Sequence, residues 1–230
     1  MTSTAPQAQE PASAQGAAGL AEAARYALLR RLAPSMRHHL VVNLQPIGMV
    51  YEVMDRRLRA PEPDLAEVRE SAHKINGFAR AALNSCLDVV TWLAPEEEKL
   101  ISASEGVREC LGLIATSLAF RGFALREEVP AIPAEVRRSA IRNVLTAAMI
   151  HTADENQPPA DIVLNAQPTP AALVLALTLR PAQGDPGFST EAGYRRLDWC
   201  DVEALAEAES VELKREGRQR VQLAIPWAKA

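Results

Sequence analysis

The side chains best equipped for chemistry in this chain of 230 residues are two adjacent histidines, His38 and His39, in the stretch LLRRLAPSMRHHLVVNLQPI. A neutral imidazole keeps a nucleophilic nitrogen near physiological pH, so a helix histidine can attack an activated phosphoryl group and pass it on. The bland alternative is an exposed helix histidine with no chemistry, and the pattern around His38 is what weighs against it. His73 and His151 stand apart and read as surface or satisfied core residues. No H-E-x-x-H and no other carboxylate and histidine spacing predicts zinc. Cys86, Cys110 and Cys200 are too scattered for a disulfide framework or a C-x-x-C pair. They read as small buried hydrophobes, and no tightly held metal is expected.

His38 must be positioned by a long amphipathic helix. From Leu20 to about Arg59, apolar residues recur every three or four positions at Leu29, Leu32, Met36, Leu40, Leu44, Ile47, Tyr51, Met54 and Leu58. Pro34 and Pro46 lie inside this helix and predict a kink near each. The segment APEPD, residues 60–64, predicts a turn with Asp64 as N-cap. A second helix follows from Leu65 to about Leu93, with Leu65, Val68, Ala72, Ile75, Ala79, Leu83, Cys86, Val90 and Leu93 on one stripe. Two long helices and a short turn make an antiparallel hairpin. One hairpin cannot cover both stripes, so a second copy completing a four-helix bundle is expected, the alternative cover being the rest of the same chain.

Beyond Pro95 the grammar changes. Helical patterns appear at about 103–120, 133–152 and 190–209, and strand patterns at about 123–129, 160–166, 171–179, 210–215 and 219–225. The fold class expected is α+β, with three parts. Residues 1–19 read as a disordered tail, 20–95 as the helical hairpin, and 96–230 as an α/β sandwich.

Composition agrees with an ordinary packed protein: 48% of residues are hydrophobic, 23% are charged, and the net charge is −4. The basic residues are dispersed, so nucleic acid is not an expected partner. No apolar run approaches the roughly 20 residues that span a bilayer, and the N-terminal stretch lacks the basic start and apolar core of a secretory signal. A cytoplasmic location is expected, with no membrane partner.

The segment from 28 to 47 resembles the phosphoacceptor helix of two-component histidine kinases. In that family a histidine is followed by apolar residues at plus two, plus six and plus nine, which from His38 are Leu40, Leu44 and Ile47. Counting from His39 meets Gln45 and Gly48 instead, so His38 is the candidate acceptor. Further along, SEGVRECLGLIATSLAFRGFALREEVP resembles the opening helix and strand of the kinase ATP-binding domain of the GHKL class. IRNVLTAAMIHTADE, residues 141–155, resembles its helix with the N-box, usually N-L-L-x-N-A-x-x-x-T. The stretch LDWCDVEALAEAESVELKREGRQRVQLAIPWA resembles its last helix and hairpin. The resemblance runs over about 25–228 and implies a GHKL or Bergerat-type sandwich.

The departures from the family set the expected function. With Asn143, Ala148 and Thr152 fixing the register, the metal-binding asparagine of the N-box is replaced by Ala147, whose methyl group cannot hold Mg²⁺. Where a D-x-G-x-G loop should read adenine the chain has RPAQGDPGF, with Gly184, Asp185 and Gly187 in the wrong frame, and no room for an ATP lid follows. ATP is therefore not expected as a cofactor. His39 stands where active kinases carry an acidic residue, and Val42 where phosphatase-competent members carry Asn or Thr. The combination resembles dimeric histidine phosphotransferases of the ChpT type, which relay phosphate between response-regulator receiver domains without ATP. That resemblance implies His38 as nucleophile, Arg37 and His39 as modulators, and Mg²⁺ supplied by the receiver. Arg30, Arg31, Arg56 and Arg57 are the candidate receiver-binding residues, the alternative for them being a solvated helix face. Two further readings compete with the relay: an inactive adaptor, and an unconventional ATP-dependent kinase.

Overall fold

The computed structural model describes residues 12–94, 99–188 and 194–228. Helix α1 runs from Ala12 to Leu58 and α2 from Leu65 to Leu93. Residues 12–19, expected in the disordered tail, are helical, while residues 1–11 lie outside the described residues. Alanine is the best helix former, and adding turns to a helix already nucleated is far easier than starting one, so an alanine-rich leader continues it. The assigned helix runs through both Pro34 and Pro46. Asp64 caps α2, its Oδ1 accepting from the backbone N–H groups of Ala66 at 2.8 Å and Glu67 at 3.3 Å.

The described residues divide into two compact units, one from Leu32 to Ala94 and the other combining residues up to Arg31 with those from Lys99 onward. Helix α1 is thus shared between them.

In the hairpin unit the buried face of α2 differs from the stripe expected. Ser71, Ala82 and Trp92 are buried, and Ile75, Phe78, Ser85 and Val89 are half-buried between them. That is a heptad rhythm of four and three, and on α1 it is met by half-buried Leu40, Asn43, Ile47, Val50 and Met54. Asn43 Nδ2 donates to Ser85 Oγ at 3.0 Å, and Arg57 donates to Ser71 Oγ at 3.3 Å while pairing with Glu67 at 3.0 Å. The small polar residues Ser71 and Ser85 sit on the inner face because they accept these bonds across the hairpin. Leu65, Leu83 and Val90 are left 71%, 58% and 56% exposed, and Leu44 on α1 is 50% exposed.

The second unit is an α/β sandwich. Strand β1 (Leu100–Ser102) pairs antiparallel with β3 (Glu135–Arg137), a small ribbon not foreseen in the sequence. The main sheet has β2 (Phe123–Glu128), β4 (Ala160–Pro168), β5 (Ala172–Pro181), β6 (Glu212–Glu216) and β7 (Arg220–Pro226), in the order β2-β4-β5-β7-β6. Only the β2 and β4 pair is parallel. The helices are α3 (Ala103–Phe120), α4 (Arg138–Ala140), a π-helical segment (Ile141–Leu145), α5 (Thr146–Glu155) and α6 (Trp199–Ala208). Alternate residues of the central strands, Leu173, Leu175, Leu177 and Leu179 on β5 and Val221, Leu223 and Ile225 on β7, are buried in the core. The helices contribute Val107, Ile114, Leu118, Leu145, Met149 and Leu205.

Two expected helix starts move. The helix expected from residue 133 begins at Arg138, because Glu135–Arg137 are spent in β3. The one expected from residue 190 begins at Trp199. There the N–H of Asp198 donates to Asp201 Oδ2 at 2.9 Å, half of a capping box that fixes the first turn.

A salt-bridge fork joins α3 to the π segment. Glu109 accepts from Arg138 Nη2 at 2.5 Å and from Arg142 Nε at 2.8 Å, and the Arg142 side chain is only 3% exposed. Burial of Glu109 works against its charge, but the hydrogen bonds from Arg138 and Arg142 prevail and hold its carboxyl below the usual range. A depressed carboxyl stabilises the fold at neutral pH, and that contribution is lost as pH falls through the folded value. Glu109→Gln is therefore expected to destabilise the protein by about 1–3 kcal/mol at pH 7, since it weakens two charge-assisted hydrogen bonds, from Arg138 and Arg142. Urea unfolding should show the gap between variant and wild type closing in acid, toward pH 3.

Candidate functional site

His38 lies on α1 with its side chain exposed, beside exposed Arg37 and half-buried His39. The two imidazole rings are 6.3 Å apart, too far for a hydrogen bond between them. The carbonyl of His39 accepts from Asn43 Nδ2 at 3.1 Å, the same amide that reaches Ser85, so the turn after His38 is tied to α2. With about 100° per residue, Val42, Gln45, Met49 and Arg56 share the face of His38. All four are exposed, Val42 at 51% and Met49 at 62%. Leu44 belongs to a different stripe, about 120° around the helix from His38.

The four arginines expected to meet a partner separate. Arg56 remains exposed on the His38 face. Arg57 turns inward to Ser71 and Glu67. Arg30 places its guanidinium 5.2 Å from the ring centroid of Tyr194. Arg31 is withdrawn altogether: its guanidinium forks onto Asp154, Nη1 to Oδ2 at 2.5 Å and Nη2 to Oδ1 at 2.8 Å, with its side chain only 10% exposed. The Asp154 carboxylate is nearly buried and also accepts from Arg121 Nη2 at 2.7 Å, and removing either cation from such a buried cluster costs more than a surface contact gains. Arg31 is thus corrected from a partner-facing residue to a structural one.

The region that resembles the N-box is closed. Every residue from Ser139 to Ala153 is buried, and Ala147 has no exposed surface. The segment is packed on every side, and two of its buried polar atoms, Thr146 Oγ1 and His151 Nε2, have no hydrogen-bond partner among the described residues. Other polar atoms of the segment are turned to neighbours in the protein. Asn143 Nδ2 donates to Glu209 Oε1 at 2.8 Å, and Ser139 Oγ donates to Glu209 Oε2 at 2.8 Å. His151 Nδ1 donates to the carbonyl of Leu197 at 2.8 Å, since a carbonyl can only accept, and its ring lies 5.5 Å from that of Trp199. The Cys110 thiol is pushed up to about 12 by burial, which removes it as a nucleophile.

The GDPG loop after β5 is also committed internally. Asp185 Oδ1 accepts from the N–H of Gly187 at 2.9 Å, and the N–H of Phe188 donates to the carbonyl of Phe120 at 2.8 Å. Gly187 has φ of +69° and Gly122 of +79°. A Cβ on Gly122 would fall 2.4 Å from the Pro186 carbonyl oxygen. Gly187, read as a fragment of a nucleotide motif, thus lets two backbones touch, while Gly184 has nothing within 4 Å of a Cβ placed there.

Sequence reading missed Asp154 and Glu209. Each works through contacts far apart in the chain, Arg31 and Asp154 being separated by 123 residues, and no local spacing announces them. Among the described residues no group of three or more His, Cys, Asp or Glu could hold a metal ion, and no helix is long and apolar enough to cross a membrane.

No family model matches the sequence, and no curated protein matches it. Solved structures that it resembles include a histidine kinase from Burkholderia phymatum STM815, at 16% identity and a TM-score of 0.44, covering 87% of this chain and 99% of that one. The Acinetobacter baumannii histidine kinase AdeS gives 14% identity and 0.43, over 80% of this chain and 98% of that one. The mycobacterial sensor histidine kinase MprB gives 12% and 0.41, over 57% of this chain and 99% of that one.

Burial of Ala147 changes what restoring the missing ligand would do. Ala147→Asn puts an amide with no partner into a packed core, at a cost of about 1–3 kcal/mol. Thermal unfolding should show a lowered Tm, and titration calorimetry with ATP and Mg²⁺ should show no heat of binding for the variant or the wild type.

Proposed function

We propose that this chain is a dimeric histidine phosphotransferase that relays phosphoryl groups between response-regulator receiver domains through a phosphohistidine at His38. The observation that carries the reading is the exposed stripe of His38, Val42, Met49 and Arg56 on one face of α1. It offers a nucleophile, an apolar patch and a cation together, and its apolar members are available for docking.

The chemistry asks little of the protein around it. A nitrogen of neutral His38 attacks the phosphorus of an aspartyl phosphate; the N–P bond forms as the acyl O–P bond breaks, and the carboxylate leaves. The reverse step delivers the group to a second receiver. Mg²⁺ belongs to the receiver's acidic site, and Arg37, exposed beside His38, is placed to assist the phosphoryl charge. His39 is a neighbouring modulator. ATP has no part in this cycle.

Dimerisation is supported by the second seam on each helix. After the inner faces are matched, α2 still presents Leu65, Leu83, Cys86, Val90 and Leu93 to solvent, and α1 presents Val41, Leu44, Tyr51 and Leu58. These recur at heptad-like intervals next to the inner faces, which is the pattern of a helix that packs on two neighbours. A second copy supplies the same pattern, related by a two-fold axis. His38 lies off this seam and stays accessible in the pair.

Light scattering at micromolar concentration should give twice the chain mass. Leu44→Asp should shift it to the monomer, because a charge buried unpaired in the seam costs of order 3–5 kcal/mol; a monomeric wild type would defeat the dimer.

Incubation with a phosphorylated receiver domain should give an acid-labile, base-stable label on the wild type. His38→Gln should abolish the label with fold and dimer unchanged, and His39→Gln should lower it only in part. Equal labelling of wild type and His38→Gln would place the acceptor elsewhere. Docking without labelling by any receiver would favour the adaptor reading.

A further inference from the structure

Two polar bonds cross the inner face of the hairpin, and they agree on one alignment of its helices. Asn43 Nδ2 on α1 donates to Ser85 Oγ on α2 at 3.0 Å, and Arg57 Nη1 donates to Ser71 Oγ at 3.3 Å. From Asn43 forward to Arg57 is fourteen residues, and from Ser85 back to Ser71 is fourteen as well. In an antiparallel pair that equality places two whole heptads between the bonds, so both report the same register. The apolar residues of this face do not choose it. Ile47, Val50 and Met54 on α1 and Ile75, Phe78 and Val89 on α2 are half-buried and recur at steps that fit a heptad. A slide of one heptad, about 10 Å along the axis, would again set apolar against apolar.

We infer that Asn43 and Ser85, backed by Arg57 and Ser71, lock the heptad register of the hairpin and thereby act as positioning residues for His38. The Asn43 amide has two hydrogens; one goes to the His39 carbonyl at 3.1 Å in its own helix, and the other goes to Ser85. Ser85 Oγ donates to the Ala81 carbonyl at 3.1 Å, so what it offers α1 is a lone pair. A slide of one heptad would set Asn43 level with Phe78 or Trp92, and Ser85 level with Met36 or Val50. Neither Phe78 nor Trp92 has an acceptor for the amide hydrogen, and a polar group left unpaired in the seam disfavours that register. A single inner asparagine specifies alignment in paired helices in this way. His38 is five residues before Asn43, and Val90 is five after Ser85, so the lock sets the turn of α2 around Val90 level with His38. One heptad along, that place would pass to Leu83. A partner that docks on His38 while touching α2 would then meet a different surface, a consequence that rests on the role proposed for His38, whereas the register does not.

Cysteine cross-linking on the full chain reads the register directly, with exposed Cys86 and Cys200 changed to serine. Ile47→Cys with Ala82→Cys reports the observed alignment, and Ile47→Cys with Ile75→Cys or Val89→Cys reports a slide of one heptad either way. A disulfide needs Cα atoms within about 7 Å and cannot span the difference. With the lock intact, mild oxidation should close the first pair alone. Asn43→Leu combined with Ser85→Ala and Ser71→Ala should raise closure of a slid pair about tenfold, since the unpaired amide no longer penalises it, with helix content by circular dichroism retained. Asn43→Leu with Ser85→Ala, which leaves Arg57 bonded to Ser71, should give an intermediate ratio. Ser85→Thr keeps the hydroxyl and should match the wild type, both in cross-linking and in labelling by a phosphorylated receiver, whereas labelling of the triple variant should fall about tenfold with His38 present. An unchanged cross-linking pattern in the triple and double variants would overturn the lock and assign the register to the turn at residues 60–64. Slid cross-links without labelling of any of these proteins would sustain the lock and count against the relay alone.

Discussion

A carboxylate that folding removes from water must find cations, and in this protein Asp154 finds them in distant places. Arg31 comes from the first helix and Arg121 from the turn after α3, and both donate to a side chain only 4% exposed. Breaking such a buried pair on one side costs about 3–5 kcal/mol, even though the intact pair contributes little net stability over an apolar substitute. The value of the arrangement is therefore positional. It fixes where residues 21–31 sit within the second unit.

The same economy explains the fate of the region that resembles a nucleotide site. A helix that must bind a metal and phosphate needs one face open, and Ser139–Ala153 has none. Its polar side chains have become internal fasteners: Asn143 and Ser139 hold Glu209, and Arg142 holds Glu109. The π-helical segment Ile141–Leu145 lies among these bonds. The loop that supplies Asp185 packs its Gly187 against Gly122.

In the hairpin unit the opposite choice was made. Its inner faces are joined by modest contacts, with small polar residues bonded across them, and a broad apolar surface is left uncovered. Contiguous exposed apolar surface of this kind marks an interaction site in a stable protein. Two directions around α1 separate the roles proposed for it, the Leu44 stripe for a second copy and the His38 stripe for a receiver.

Much of this was legible in the chain itself. The two helices, the turn between them and the Asp64 cap follow from apolar spacing and local hydrogen-bonding chemistry, and α3 and the central strands appeared near their expected positions. Spacing alone could not tell which apolar stripe of α2 faces α1, because both repeat at similar intervals and only packing selects Ser71, Ala82 and Trp92. It could not reveal that Arg31 points inward, that Asp185 serves its own turn, or that Ala12–Gly19 continue the helix. Local pattern is set by neighbours within about one turn. The fate of a charge is set by groups brought together from over a hundred residues away, as with Arg31 and Asp154 at a separation of 123, so only the tertiary structure decides which charged residues remain free to act.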